Sequence, residues 1–139
     1  MAMVGCAIAN GGTIMHPYMV EGVFNANGQR SYTAVPGAFQ QAVSSQTADR
    51  VKSVLIDVVQ WGTGVYAQID GVTVAGKTGT AETGKPADDS WFVGMAPAED
   101  PQVVVAMVLE QAVDSEYSDN AALRSQPVLV AALQAKGAL

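Results

Sequence analysis

The sequence has very few of the side chains that build metal sites or disulfide frameworks. Among its 139 residues there is one cysteine, Cys6, and one histidine, His16. A single cysteine excludes a disulfide within the chain, and one residue of each type excludes a zinc site made of cysteine and histidine ligands from this chain alone. We therefore expect no metal and no cofactor.

Positive charge is also scarce. Seven Lys and Arg side chains against thirteen Asp and Glu give a net charge of −6, and charged residues make up 14% of the chain. A protein that neutralises phosphates needs an excess of positive charge, so no nucleic-acid partner is expected. Apolar residues make up 49%, which is enough for the core of one domain.

Long hydrophobic runs are missing as well. The longest uninterrupted one is Val103–Leu109, whereas a membrane-spanning helix needs about 20 apolar residues. No basic segment precedes the apolar start of the chain, so no signal peptide is predicted. The composition leaves two alternatives open, a cytosolic protein or one whose targeting segment lies outside this chain.

Three segments are predicted to be helical. Residues 1–9 combine alanine and methionine with no charge, which favours a buried helix ending at Asn10. No capping residue precedes this helix, which is typical of a segment of a longer chain. A second helix over 47–60 has Thr47 as its N-cap and an amphipathic stripe. A third begins near Pro127, because proline fits the first turn of a helix.

Strand patterns account for much of the remaining sequence. Val20–Asn25 and Gln29–Thr33 flank an Asn-Gly pair, which predicts a hairpin, whereas Val35–Gln41 contains proline and glycine and is predicted to be a loop. Three antiparallel strands are expected near 71–79, 90–96 and 102–110. An antiparallel sheet packed against helices is an α+β fold.

The segment Lys77-Thr78-Gly79-Thr80 places a cation, two hydroxyls and a glycine at the end of a predicted strand. Lysine supplies positive charge, threonine donates hydrogen bonds, and glycine lets a ligand approach the backbone closely. Backbone N–H groups at a strand edge can also stabilise a developing oxyanion. The segment is therefore a candidate anion site, with an ordinary polar strand end as the alternative.

A phosphate-binding loop is the competing interpretation of the same segment. The string from Gly71 to Thr78 fits G-x-x-x-x-G-K-[ST]. The residues between its glycines are Val, Thr, Val and Ala, which favour a strand. Gly79, Gly84 and Pro86 prevent a helix from following. The sequence therefore disfavours a nucleotide site.

A wider set of motifs surrounds the lysine segment. In chain order they are Ala7-Ile8-Ala9-Asn10-Gly11-Gly12, His16-Pro17-Tyr18, Gly62-Thr63-Gly64, Val74-Ala75-Gly76-Lys77-Thr78-Gly79-Thr80-Ala81-Glu82 and Trp91-Phe92-Val93-Gly94-Met95-Ala96-Pro97. This set resembles the C-terminal part of the transpeptidase domain of high-molecular-weight penicillin-binding proteins, in the serine β-lactamase-like superfamily. The resemblance runs through nearly the whole chain and implies that residues 1–139 are a segment of one such domain.

The resemblance implies a role for each residue of the lysine strand, which in the family forms one wall of the active site. Lys77 would set the electrostatics and the proton network of the site. Thr78 and Thr80 would bind the carboxylate of a stem peptide or a β-lactam across Gly79, and the N–H of Thr80 would supply half of the oxyanion hole. Trp91 would support the wall from the neighbouring strand or serve as an ordinary core aromatic.

The family's nucleophile is missing from these residues. It lies in a Ser-x-x-Lys motif, in which the lysine activates the serine, and none of the eight serines here has a lysine three positions later. The second family motif, Ser-x-Asn, precedes the lysine strand. Ser118-Asp119-Asn120 follows that strand and is interpreted as a helix cap or turn. We therefore expect this chain alone to be inactive.

Other candidate residues are assigned structural roles. Ser90 follows two aspartates, which do not make an activating base for it. His16 has no evident acidic partner, and Cys6 lies in an apolar run and is expected to be buried. An acidic cluster lacks the spacing of a calcium loop and is expected to be a solvated loop. Its members are Asp114, Glu116 and Asp119.

The resemblance implies a parent enzyme that cross-links D-alanyl-D-alanine stem peptides through a serine ester and that β-lactams acylate. It would act at the extracytoplasmic face of the bacterial cytoplasmic membrane. Two alternatives stay open: a non-catalytic interaction or peptide-binding domain on the same scaffold, and part of a serine β-lactamase-like hydrolase. The missing N-terminal part of the domain is an implied partner.

The apolar run Val103–Leu109 is a further expected contact surface. In the complete family domain, strands from earlier in the chain extend the sheet beside this one. Without them, an unpaired apolar edge is expected to self-associate.

Overall fold

Helices and antiparallel strands are both present along the chain. The computed structural model describes residues 1–114 and 117–139. Their helices are α1 (Ala2–Ala9), α2 (Ser45–Trp61) and α3 (Ala121–Lys136). Their strands are β1 (Thr13–Met15), β2 (Gly22–Phe24), β3 (Arg30–Thr33), β4 (Ala38–Gln41), β5 (Ala75–Ala81), β6 (Asp89–Ala96) and β7 (Val103–Leu109). The predicted α+β fold is confirmed.

Strands β5, β6 and β7 form the main antiparallel sheet, in that order across the sheet. The register places Lys77 opposite Val93 and Thr78 opposite Phe92. Because successive side chains of a strand point to opposite faces, these two pairs lie on different faces of the sheet. The three strands expected from the sequence are thus present and pair as expected.

Helix α3 covers one face of this sheet. Phe92 of β6 is fully buried together with Leu129 and Leu133 of α3. Half-buried side chains at alternate positions of β7, among them Val103 and Val105, pack against the same cluster. Burying each large apolar side chain contributes about 1.5–3 kcal/mol, so this cluster holds α3 on the sheet.

Helices α1 and α2 lie on the opposite face. Met95 of β6 is buried there against Ile8 of α1 and Leu55 of α2. At Gly5 of α1, an added Cβ would lie 2.8 Å from methyl groups of β6 and β7. Because glycine has no side chain, α1 approaches the sheet more closely than another residue would allow.

Two glycines make room for the ring of Phe92. Gly76 of β5 and Gly94 of β6 form a cross-strand pair, and the ring of Phe92 lies against both. A Cβ at either position would overlap atoms of the ring. The residue directly before Lys77 is therefore restricted to glycine by packing on the α3 face of the sheet.

The segment between α1 and α2 folds into two small sheets. β2 and β3 pair as the predicted hairpin, with Gly28 in its turn at φ 75°. β1 and β4 pair with each other, so the prediction that Val35–Gln41 is loop is wrong over β4. The side chain of Gln41 accepts from Thr13 and donates to two carbonyls of the adjoining turns. Such contacts between distant residues leave no local periodicity in the sequence.

The helix starts differ from the predicted ones. The N-cap of α2 is Ser44, whose hydroxyl accepts from the N–H of Thr47 at 3.2 Å, so Thr47 lies inside the first turn. Helix α3 begins at Ala121, ahead of the predicted start at Pro127, because the side chain of Asn120 accepts from two N–H groups of its first turn. Pro127 is accommodated within the helix.

The start of β5 is also later than predicted. Gly71 has φ 77°, and Ile69 and Val72 form an isolated antiparallel bridge around it. A positive φ at glycine is typical of a tight turn. The residues from 71 to 74 therefore form a turn and the segment that follows it, and the pairing with β6 begins at Ala75.

Helix α1 is less buried than its composition predicts. Gly5 and Ala7 are buried, but Met3 and Val4 are exposed, and Cys6, which was expected to be buried, is exposed too. Apolar residues occur all round this helix, so its sequence does not indicate which side is buried. The part of the chain that the structure describes covers only the side with Gly5 and Ala7. Within the described ranges, no helix has both the length and the apolar character needed to cross a bilayer.

We expect Gly76→Ala to lower the free energy of unfolding by about 1–3 kcal/mol, because overpacked core positions cost that much. Gly79→Ala is the matched control on the same strand, since its Cβ would lie 3.5 Å from that of Trp91, an ordinary contact. Urea unfolding followed by tryptophan fluorescence measures both variants. Equal stabilities would show that Phe92 does not restrict the space on β5.

The outer edge of β7 predicts self-association of this chain. The strand carries no charged side chain, and unpaired apolar edges pair readily with other strands. Light scattering of the concentrated chain should show dimers or larger species, and Ala106→Lys, at an exposed position of β7, should favour the monomer. Ala131→Lys, at an exposed position of α3, adds the same charge away from the edge and should change nothing. A sharp wild-type monomer would contradict the prediction.

A hydrogen bond ties the turn after β6 to the segment before β5. The N–H of Ala98 donates to the carbonyl of Thr73 at 2.8 Å. Hydrogen bonding from the side chain of Thr73 is the largest cause that lowers the pKa of Glu99 below its ordinary value. Thr73→Val should therefore raise the pKa of Glu99, as measured by NMR titration of its carboxyl carbon. Thr83→Val, which removes a hydroxyl bonded in another loop, should leave that pKa where it is.

Candidate functional site

The predicted site residues occupy the second half of β5. Lys77, Gly79 and Thr80 are exposed, and Thr78 is half-buried. Since β5 is at the edge of the sheet, one side of its backbone faces away from β6. The alternation of side chains places the hydroxyls of Thr78 and Thr80 on the α3 face and Lys77 on the opposite face.

A polar cavity opens beside the two hydroxyls. It has a volume of about 360 Å³ and lies where β5, the turn after α2 and the start of α3 meet. Its lining residues are Thr63, Tyr66, Thr78, Gly79, Thr80, Ser90, Tyr117 and Asn120. None of these has a side chain that is charged at neutral pH. A carboxylate bound here would therefore be held by hydroxyl, amide and backbone donors.

Thr63 brings a third hydroxyl to this cavity. Its Oγ1 lies 2.5 Å from the Oγ1 of Thr78. The flanking residues, Gly62 and Gly64, both donate their N–H groups to the carbonyl of Val58, at 3.1 and 3.0 Å. A Cβ on either glycine would lie 3.0 or 3.1 Å from that oxygen. The two glycines thus let the chain turn tightly at the end of α2 and direct Thr63 at β5.

Lys77 lies in a different environment from the hydroxyls. Its Nζ donates to the carbonyl oxygen of Thr78 at 2.7 Å. Its side chain lines an apolar cleft of about 320 Å³ together with Met1, Trp91 and Val93, and Thr78, Gly79 and Thr80 border this cleft as well. Trp91 pairs with Gly79 across the two strands, so its side chain lies on the same face of the sheet as Lys77. The ammonium of Lys77 and the cavity beside the hydroxyls of Thr78 and Thr80 are therefore on opposite faces of β5.

Comparison with known proteins identifies the family. The family model for the penicillin-binding protein transpeptidase domain matches residues 1–130. The chain belongs to this family. The resemblance predicted from the ordered motifs is thereby confirmed, and β5 is the strand that carries the family's Lys-Thr-Gly sequence.

Two curated relatives show how much of a full-length protein is represented here. The peptidoglycan D,D-transpeptidase PbpA of Mycolicibacterium smegmatis is 35% identical, over 88% of this chain and 26% of its own length. PbpA of Mycobacterium tuberculosis is 33% identical, over 96% of this chain and 28% of its own length. The chain thus spans between a quarter and a third of these relatives.

Solved structures agree with this assignment. The D,D-transpeptidase domain of a peptidoglycan glycosyltransferase from Eggerthella lenta superposes with a TM-score of 0.92 at 56% identity, over 99% of this chain and 32% of that one. The imipenem acyl-enzyme complex of penicillin-binding protein A from M. tuberculosis gives a TM-score of 0.87 at 34% identity, over 96% and 30%. The chain therefore represents part of a transpeptidase domain.

Ser90 and Ser118 make structural hydrogen bonds. Ser90 is buried, and its Oγ accepts from the N–H of Ala121 at 3.1 Å. This N–H belongs to the first turn of α3, where the helix itself offers no acceptor. The hydroxyl of Ser118 bonds to Asp114, and Asn120 caps α3. The interpretation of Ser118-Asp119-Asn120 as a cap or turn is confirmed.

The acidic cluster of the sequence analysis is only partly described. The carboxylate of Asp119 accepts from the N–H groups of Val113 and Asp114, at 3.0 and 3.1 Å. Glu116 lies outside the described residues. Among the residues that are described, no group of three histidine, cysteine or acidic side chains could hold a metal ion.

His16 and Cys6 lie away from the polar cavity. The ring of His16 packs edge-on against Phe39, with 5.1 Å between centroids. Cys6 is exposed as a residue, but desolvation by the surrounding protein atoms raises the pKa of its thiol. A raised pKa lowers the thiolate fraction at neutral pH.

The residues that sequence reasoning missed all come from outside β5. Thr63, Tyr66 and Asn120 line the cavity although they are distant from Thr78 in the chain. The sequence contained a signal for one of them, because Gly62-Thr63-Gly64 stands among the ordered motifs. It gave no distance between Thr63 and Thr78, since that contact depends on how α2 ends beside the sheet.

Proposed function

We propose that this chain supplies the Lys-Thr-Gly wall of a penicillin-binding D,D-transpeptidase and is inactive alone. The observation that carries the proposal is the hydroxyl pair of Thr78 and Thr80, which share one face of an edge strand beside a polar cavity. Membership of the transpeptidase family supports the same function. The proposed substrate is a stem peptide ending in D-alanyl-D-alanine.

Each group on the wall has a proposed task. The hydroxyls of Thr78 and Thr80 donate to the terminal carboxylate of the peptide, and charge-assisted bonds of this kind are the stronger ones. The N–H of Thr80 donates to the oxyanion that forms during acyl transfer. Lys77 supplies positive potential from the other face of the strand, where it favours the anionic substrate and the developing negative charge.

The nucleophile of the proposed reaction is a serine outside these residues. Its oxygen attacks the carbonyl carbon between the two D-alanines, and its proton passes to a base. The terminal D-alanine leaves as its amine takes up a proton, and a serine ester remains. The amine of a second stem peptide then displaces the serine oxygen, which regains a proton. The product is a new peptide cross-link.

Known complexes support β-lactams as covalent inhibitors of the parent protein. Penicillin-binding protein A from M. tuberculosis has been solved as acyl-enzyme complexes with imipenem and with penicillin G.

We further propose that the remaining part of the transpeptidase domain is the structural partner of this chain. Because peptidoglycan is assembled outside the cytoplasmic membrane, the proposed site of action is the extracytoplasmic face.

A chimera tests the proposed function. This chain replaces the corresponding third of the Eggerthella lenta domain, which is 56% identical to it, and intact-mass spectrometry follows acylation by benzylpenicillin. We expect the chimera to gain one adduct and the isolated chain to gain none. Lys77→Met in the chimera should slow acylation by roughly 10²-fold or more. A chimera that folds but is not acylated would contradict the proposal.

Lys85→Met is the matched control for this experiment. Lys85 lies in the turn between β5 and β6 and is exposed. Its removal changes the net charge by the same amount, so acylation should proceed at nearly the rate of the unmodified chimera. An adduct on the isolated chain would show that one of its own serines is an activated nucleophile. It would overturn the proposal that the nucleophile lies outside these residues.

A further inference from the structure

The contact between Thr63 and Thr78 joins the turn after α2 to the proposed carboxylate-binding strand. The two Oγ1 atoms lie 2.5 Å apart, within hydrogen-bond distance. We propose that Thr63 is a positioning residue that donates to Thr78 and thereby turns the proton of Thr78 toward the carboxylate of a bound peptide. This inference rests on the proposed function and deepens it.

Proton counting gives the direction of the bond. A threonine hydroxyl has one proton to donate and two lone pairs to accept with. If Thr78 donated to Thr63, its proton would be unavailable to a ligand. If Thr63 donates to Thr78, the proton of Thr78 remains free. A carboxylate can only accept, so a bound carboxylate selects the second arrangement.

Thr63 is held in place before any ligand arrives. The N–H groups of Gly62 and Gly64 both donate to Val58, and the N–H of Ala67 donates to the carbonyl of Gly64. Gly64 is buried, which fixes the turn against the end of α2. A donor that is already positioned costs little conformational entropy on binding.

The surroundings make this hydroxyl pair important for a carboxylate. No charged side chain lines the cavity within the part of the chain that the structure describes, and Lys77 lies on the other face of β5. A hydroxyl that accepts a hydrogen bond also becomes a stronger donor, because bonds in a chain polarise one another. Thr63 therefore strengthens the bond from Thr78 to a carboxylate through its own bond to Thr78.

An NMR titration of the 139-residue chain tests the inference. The probes are N-acetyl-D-alanyl-D-alanine and its methyl ester, which lacks the carboxylate, and the readout is the amide shifts of Thr78, Gly79 and Thr80. The free peptide should give saturable shifts. Thr63→Val, which keeps the shape and removes the hydroxyl, should weaken its binding by about threefold to tenfold. Any shifts from the ester should be the same in both proteins.

Two further variants separate positioning from a purely structural role. Thr63→Ser retains the hydroxyl and should bind within about twofold of the wild type. In a Thr78→Val background, Thr63→Val should have no additional effect, because the hydroxyl that it orients is gone. Amide shifts of β6 and α3 report whether each variant folds, and Thr63→Ala replaces Thr63→Val if the valine variant does not fold.

The outcomes distinguish the inference from the proposed function. Carboxylate-dependent binding that Thr63→Val leaves unchanged overturns the inference alone. Equal weakening of the free peptide and the ester would also overturn it, since the effect would not involve the carboxylate. If the wild-type chain gives no saturable shifts with the free peptide, the proposed carboxylate wall fails, and the role of Thr63 fails with it.

Discussion

The register between β5 and β6 is the constraint on which the proposed site depends. The ring of Phe92 lies against the cross-strand pair Gly76 and Gly94, and no side chain fits at either glycine. A slip of one residue would bring a larger side chain under the ring and would exchange the faces of Lys77 and Thr78. The buried aromatic thus fixes which side of the edge strand carries hydroxyls and which carries charge.

The separation of charge from hydroxyls follows from this register. Lys77 lines only the apolar cleft on the α1 side, whereas Thr78 and Thr80 border that cleft and also line the polar cavity on the α3 side. A ligand lying along the free edge of β5 would meet backbone groups at the edge itself, the threonine hydroxyls on the α3 face and the lysine ammonium on the α1 face. An edge strand can therefore present three kinds of donor to one extended peptide.

Local patterns predicted the parts of the fold whose causes are local. The hairpin follows from its Asn-Gly turn, and β6 and β7 follow from apolar runs separated by turn residues. Pro127 predicts a start of α3 that is too late, because the side chain of Asn120 accepts from two N–H groups and begins the helix earlier. Where two local signals compete, the one that satisfies more backbone groups sets the boundary.

Features that depend on distant residues were not predicted. Pairing of β1 with β4 relies on side-chain bonds of Gln41 to a segment about thirty residues away, and such contacts have no periodicity to detect.

The hydroxyl contact of Thr63 also needs the end of α2 to lie beside β5. The motif was visible in the sequence, but its function is geometric and required the structure.

Apolar side chains are exposed on α1 and on β7. Met3 and Val4 of α1 are exposed, and β7 leaves an uncharged edge unpaired with any described strand. Covering such groups contributes about 25 cal/mol per Å² of apolar surface. The relatives are three to four times longer than the matched segment. In the proposed parent domain, the segment that supplies the serine would also bury the exposed apolar side chains of α1 and β7. Stability and catalysis would therefore depend on the same segment.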